Sequence, residues 1–232
     1  MIHVQKMTHC PICSNTFKVT GTHEVYKVCT CQETVQDKEG NWIKVGFIQP
    51  NYVGGLEAPL VAFAKTCGSG TFIDVGANRG QWTLPFLNQF TRILCFEPDP
   101  VNYETLRAVM RPYKHVLVFD TAISNRTGPA TLYVRRDSTQ LNSLTNIYKA
   151  TESVPVLTQE LRYIINGPVD LVKVDVEGHE LEVIEGSGDK ISLVKNWVVE
   201  RHSGVTEIKD LLQSKGYNVM VFSSLGWTAT KL

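Results

Sequence analysis

The chain has 232 residues, 43% of them hydrophobic, and Lys+Arg and Asp+Glu both number 23. That suffices for one α/β domain with a sizeable core plus a small appendage. The balanced charge gives no reason to expect nucleic acid or an anionic membrane as partner, and no run of about 18 apolar residues offers a spanning helix.

The opening stretch, Met1 to Thr8, lacks an apolar signal core. A cytoplasmic protein is therefore expected, with reduced cysteines. Residues 1–45 read as a separate unit. Cys10-Pro-Ile-Cys13 is a tight C-x-x-C turn, and after fifteen intervening residues comes Cys29-Thr-Cys31. Phe17–Val19 and Glu24–Val28 between them read as two short strands. Thiols at both ends of a hairpin are the plan of a zinc ribbon. Four thiolates would hold a structural Zn²⁺ and staple a unit too small for a core of its own. The C-x-C spacing departs from the commoner C-x-x-C, and His9 or His23 could replace one thiolate. The alternative is a set of reduced free cysteines.

Gln36–Asn41 is polar and turn-rich, a hairpin tip or linker, and Trp42–Ile48 alternates like a strand. Pro50–Gly55 is a loop before a helical stretch, Leu56–Lys65. Then comes Thr71-Phe-Ile-Asp-Val-Gly-Ala-Asn-Arg-Gly80. A buried strand, an acid, a glycine turn and then helix-like spacing over Gln81–Phe90 form the entry unit of a doubly wound fold. Glycine there suits close approach of a ligand to the main chain, and the turn's amides suit a polar small molecule. The pattern Asp74-x-Gly76-x-Asn78-x-Gly80 lacks the central glycine of the dinucleotide fingerprint, and no phosphate loop occurs anywhere. Arg92–Pro98 is a second buried strand. Its Glu97 lies 21 residues after Gly76, the usual distance for a carboxylate that takes a ribose diol. A nucleoside ligand without a diphosphate is thus expected, and S-adenosylmethionine fits.

Four segments carry a resemblance: Asp74–Gly80, Phe96-Glu-Pro-Asp-Pro100, Ala122-Ile-Ser124 and Lys173-Val-Asp-Val-Glu-Gly-His-Glu180. Together they resemble FkbM-type S-adenosylmethionine-dependent methyltransferases from about Gly46 to the C-terminus. The resemblance implies a Rossmann-like class I methyltransferase fold for residues 46–232. It also implies O-methylation of a sugar or natural-product-like acceptor, so that a small molecule or glycan is the expected partner. It does not cover the cysteine unit.

Further along, Pro100–Arg111 reads as a helix with Val101, Leu106, Val109 and Met110 on one face. His115–Phe119 is a third strand closed by Asp120. By the resemblance Asp120 is a candidate for the adenine amino group; otherwise it is a strand-end turn acid. Ala130–Val134 is an extra β segment. Arg135–Ser143 is a polar loop whose arginines could face an anionic acceptor, although a solvated pair is the plainer reading. Glu160–Asn166 reads as a short helix, Asp170–Val174 as the fourth strand, and Gly178 onward as a helix. Trp197–Val199 is the fifth strand. A helix over Ile208–Lys215 then leads to a closing hairpin, Tyr217–Phe222 with Trp227–Lys231. Alternating strands and helices predict a mostly parallel sheet, and the hairpin allows one antiparallel strand.

Asp74, Glu97, Asp120, Asp175 and Glu200 all fall at predicted strand ends, where open α/β sheets bind ligands. Asp74, Gly76, Ala77, Asn78, Gly80, Glu97 and Asp120 are the cofactor-binding candidates. Asp175, Glu177 and His202 are the catalytic candidates. Asp175, Glu177, His179 and Glu180 could also be ligands for Mg²⁺ or Mn²⁺, or simply acids that favour a helix N-terminus. Cys67 lies before the first core strand and Cys95 inside the second, which argues against a cysteine nucleophile. Two other functions stay open: a methyltransferase-like binding module without turnover, and an NAD-dependent oxidoreductase.

Overall fold

The computed structural model describes residues 34–36, 42–44, 58–136, 141–146, 149–200, 205–223 and 226–232. Cys10, Cys13, Cys29 and Cys31, the zinc candidates, lie outside them, as does His202. Strands β1 (Thr34–Gln36) and β2 (Trp42–Lys44) pair antiparallel across residues 37–41, where the polar stretch predicts a hairpin tip.

The continuous apolar runs become the middle of a seven-stranded sheet. Its members are β3 (Thr71–Val75), β4 (Arg92–Phe96), β5 (Val116–Phe119), β9 (Leu171–Val174), β10 (Asn196–Glu200), β11 (Tyr217–Ser223) and β12 (Gly226–Lys231). The spatial order is β11-β12-β10-β9-β3-β4-β5. Strand β3 runs parallel to β4 and β9, β5 to β4, and β10 to β9. Strand β12 is antiparallel to both β10 and β11, so the closing hairpin supplies the one antiparallel member, as expected. Phe72, Ile73, Ile93, Leu94, Leu171, Val172, Trp197 and Val198 are buried, because a sheet covered on both faces buries successive residues rather than alternate ones; Asp74 and Lys173 are the charged exceptions in β3 and β9.

Helices α1 (Ala58–Ala64), α2 (Pro100–Met110), α3 (Glu180–Glu185) and α4 (Val205–Ser214) cover the sheet. Two apolar clusters result. One packs Leu60, Phe72, Phe86, Phe90 and Leu106, the other Ile73, Ile123, Leu161, Trp197 and Ile208. Helix α2 starts at Asp99, whose Oδ1 accepts the amides of Val101 and Asn102 at 2.9 and 3.0 Å, and Pro100 suits the first turn. Val101 is exposed, not core-facing as its spacing predicts; Asn102 and Thr105 are buried in its place.

Two expectations fail for local reasons. Gln81–Phe90 has helical spacing but forms turns around a 3₁₀ segment, Leu84–Phe86. Pro85 has no amide and its ring would strike the carbonyl four residues back, so a regular helix cannot run through it. Trp82, Phe86, Leu87 and Phe90 are buried all the same. Glu160–Asn166 is likewise only a 3₁₀ turn, Leu161–Tyr163. A strand is also present where the sequence suggests none: β8 (Glu152–Glu160) lies between β6 (Thr121–Ser124) and β7 (Gly128–Val134) in a separate three-stranded sheet. Its residues are exposed or half-buried apart from Thr158, and it contains Pro155, so its pairing on both sides defines it rather than an apolar run.

Candidate active site

The site is built at the carboxyl ends of β3, β4 and β9. Gly76 has a φ of 75° and Asn78 a φ of 49°, so the chain turns back sharply after Val75. Gly76 is required there because a Cβ would collide with the Asp175 main-chain carbonyl on β9's continuation. Gly80 holds a left-handed φ of 91°, and a Cβ there would crowd Met110 and Leu106 of α2. Both glycines thus serve close strand and helix approach. The amides are likewise committed within the protein. Gly76 and Ala77 both donate to the Phe96 carbonyl at 3.0 Å, and Gly80 donates to Ala77. Asn78 donates to Glu97 Oε2 at 2.8 Å.

Glu97 is the hinge between the turn and α2. Its other oxygen accepts the Asp99 amide at 2.9 Å, and the residue is 5% exposed. Burial pushes its carboxyl up to about 7, against the two amides that favour the charged form. Each oxygen keeps a lone pair beyond these bonds.

Asp74 is fully enclosed. Its Oδ2 accepts Thr83 Oγ1 at 2.7 Å, and its Oδ1 faces Lys173 Nζ at 3.3 Å. Thr83 also meets Cys95 Sγ at 3.3 Å. The Lys173 ammonium, with a side chain 3% exposed, reaches Asp175 Oδ2 at 3.2 Å and donates to the Gly76 carbonyl at 2.9 Å. Burial pulls its pKa down, but Asp175, Asp74 and Glu200 together outweigh burial and hold it above the ordinary lysine value. Lys173 escapes sequence reading because a lysine inside a Leu-Val-Lys-Val strand looks like an edge residue. Its signals are its place at the head of the Lys173–Glu180 segment and an alternation that sets it on the same face as Asp175.

After β9 the chain enters the turn Asp175–His179. Glu177 holds a left-handed φ of 55°, and its carbonyl accepts Ser143 Oγ at 2.6 Å. Glu180, a predicted helix-start acid, is buried and accepts the Gly178 amide at 2.9 Å. His179 Nε2 lies 2.9 Å from Ser124 Oγ, tying the turn to the three-stranded sheet; burial, against the pull of Glu182 and Glu180, holds this imidazole below its usual value. The Mg²⁺ or Mn²⁺ reading gains no support: among the described residues no three His, Cys, Asp or Glu side chains converge on a metal position. Lys173 already supplies the positive charge that Asp74 and Asp175 share.

Asp120 is exposed at the point where the chain leaves β5 for β6. Arg136 is occupied, bridging Asp99 Oδ2 at 2.8 Å and Glu152 Oε2 at 3.0 Å. Cys67 and Cys95 are buried. Burial pushes the Cys67 thiol up to about 12 and raises Cys95 as well, so neither thiol is a nucleophile at neutral pH.

Residues 74–219, more than half of the chain, match the methyltransferase FkbM domain. The chain belongs to the FkbM methyltransferase family. Methyltransferase 1 of Beauveria bassiana (strain ARSEF 2860) is 28% identical over 180 residues, 64% of this chain and 72% of that protein. Methyltransferase sdnD of Sordaria araneosa is 29% identical over 189 residues, 63% of this chain and 73% of that one. The crystal structure of methyltransferase FkbM from Methylobacillus flagellatus KT superposes with a TM-score of 0.51 at 19% identity. It covers 70% of this chain, which spans 44% of that chain's length. Among the described residues no helix of this FkbM-family chain is long and apolar enough to cross a membrane.

Proposed function

We propose that this chain transfers a methyl group from S-adenosylmethionine to a hydroxyl on a sugar or natural-product-like acceptor. The observation that carries the reading is the Glu97 carboxylate held by the Asn78 amide at 2.8 Å. It sets a buried carboxylate beside a glycine turn whose spacing is not that of a phosphate loop. In this reading the spare lone pairs of Glu97 accept the ribose hydroxyls. Gly76, Ala77, Asn78 and Gly80 shape the floor under the nucleoside, Asp74 holds that floor in place, and Asp120 faces the adenine amino group.

The bound sulfonium supplies an electrophilic methyl group. The protein aligns acceptor oxygen, methyl and sulfur and keeps water out. Asp175, Glu177 or His202 takes the acceptor's proton as the carbon–oxygen bond forms. Membership in the FkbM family and the likeness to two fungal methyltransferases support the reading.

Calorimetry with S-adenosylhomocysteine should show binding, and Glu97→Ala should weaken it by about tenfold or more, the loss of charge-assisted hydrogen bonds. Absence of binding by the wild type at millimolar ligand ends the proposal. NAD should give no thermal shift. The acceptor class is read by a mass-spectrometric search of a host extract for products heavier by one methylene, and a methylated amine or carbon in place of a hydroxyl would refute the oxygen assignment.

A further inference from the structure

The Asp99 carboxylate joins the site to a segment outside the seven-stranded sheet. Asp99 is fully enclosed, and its oxygens accept four N–H groups, the full capacity of an ionised carboxylate. Oδ1 takes the Val101 and Asn102 amides that open α2. Oδ2 takes Arg136 at 2.8 Å and Asn142 Nδ2 at 3.2 Å, both from the segment after β7. That segment is held elsewhere too. Asn142 Oδ1 accepts the Arg135 amide at 2.9 Å, and Ser143 Oγ donates to the Glu177 carbonyl at 2.6 Å. It is thus anchored on the turn after β4 and on the turn after β9.

Asp99 also stands against Glu97, since its own amide donates to Glu97 Oε1 at 2.9 Å. Two carboxylates this close and out of water repel unless cations answer them. The charged groups that face Glu97 are Asp99 at the start of α2, Lys173 on β9 and Arg79 in the glycine turn. Lys173 lies among Asp74, Asp175 and the Gly76 carbonyl, and Arg79 Nε donates to Asn102 Oδ1 at 3.1 Å. Arg136 meets Asp99 directly. Its second partner, Glu152, is half in water on β8.

We infer that Arg136 is a positioning residue for the donor-binding acid: from the segment after β7 it holds Asp99 and answers its charge, which keeps Glu97 an ionised acceptor for the ribose. The ribose rests on the methyl-transfer reading; the effect on Glu97 rests on the charge geometry alone.

The test reads Glu97 with and without ligand. Without ligand, wild-type stability should stop falling at about pH 7, the value to which burial brings Glu97. In Arg136→Met the fall should continue higher by about 0.5 pH or more, because Asp99 keeps its charge and loses its cation. Arg136→Lys keeps the charge without the fork and should recover most of that difference. Glu152→Gln removes only the surface partner and should leave the wild-type profile within about 0.2 pH. With ligand, Arg136→Met should bind S-adenosylhomocysteine about twofold more weakly or worse at pH 7, and nearly as wild type at about pH 9. The inference is overturned by a profile that does not move in Arg136→Met, or by an affinity loss equal at every pH. A lysine variant that behaves like the methionine one, or an equal shift in Glu152→Gln, overturns it as well. Wild type that binds no S-adenosylhomocysteine at millimolar ligand refutes the methyl-transfer reading, and the ligand-free profiles still decide whether Arg136 governs Glu97.

Discussion

The two ends of the seven-stranded sheet both pair aspartate with lysine, in opposite surroundings. At the amino end Asp170 accepts the Gly70 amide at 2.6 Å and Lys195 Nζ at 2.7 Å, and the Lys195 side chain is 61% exposed. Asp170 is thus a staple between the loop before β3 and the start of β10, with its cation in water. At the carboxyl end Lys173 lies between Asp74 and Asp175, almost wholly enclosed. Ions removed from water cost several kcal/mol each, and a well-packed apolar pair would be as stable or more so. The amino-end pair is a solvated contact that contributes little, whereas the carboxyl-end cluster is enclosed, so each of its charges depends on the others staying in place. Of the three non-glycine residues at positive φ among the described residues, Asn78 and Glu177 stand at the carboxyl end, and Lys149 lies outside the seven-stranded sheet.

The sharpest break in this contrast is Gly76→Ala against Gly70→Ala. The first drives a methyl group into the Asp175 carbonyl at positive φ and should cost about 4 kcal/mol or more. The second meets only the Asp170 carboxylate, which can swing aside, and should cost about 1–2 kcal/mol. Urea midpoints at fixed m-value read both.

Lysine replacement comes next. Lys173→Met leaves Asp74 buried without its cation and should cost about 3–5 kcal/mol. Lys195→Met should cost about 1 kcal/mol or less, since its partner stays reachable by water. Similar losses at both ends would erase the distinction. In the wild type the raised Lys173 pKa contributes stability fully below the ordinary value of 10.5, and alkali removes it as pH climbs above that.

Glu97 sets an acid-side signature. Its carboxyl rises from an ordinary 4.5 to about 7 on folding, so between those values the native state binds more protons than the unfolded one. Stability should therefore fall as pH rises from about 4.5 to about 7, by about 3 kcal/mol, and level off above. Glu97→Gln should flatten that slope, measured as the difference in urea midpoints between pH 5 and pH 8. A slope unchanged in the variant would assign it to another group.

A smaller effect is expected from Asp170→Asn, which keeps an acceptor for the Gly70 amide but loses the Lys195 charge, a change of about 1 kcal/mol.

Much of the sheet is legible in the chain because central parallel strands are read directly from apolar runs bounded by turns. Phe72–Val75, Ile93–Phe96 and Leu171–Val174 need no partner to be recognised. Strand β8 is not legible, since it has no buried apolar residue and carries Pro155, a residue disfavoured in strands; it exists through its pairing with β6 and β7. The Gln81–Phe90 helix fails at Pro85, where burial period and backbone chemistry disagree and the backbone prevails.

The sequence by itself determined which residues stand at strand ends, because strand length follows from the apolar runs and the acids interrupt them. It also determined that the turn after β3 holds no phosphate-loop spacing. Only the tertiary structure decided what those residues touch. Gly76 faces a carbonyl 99 positions away in the chain, Glu97 turns both oxygens to main-chain amides, and Lys173 gathers acids from β3, the turn after β9, and β10. Those contacts depend on which strands become neighbours. That order follows from the packing of helices on both faces of the sheet, a long-range outcome that no local period encodes.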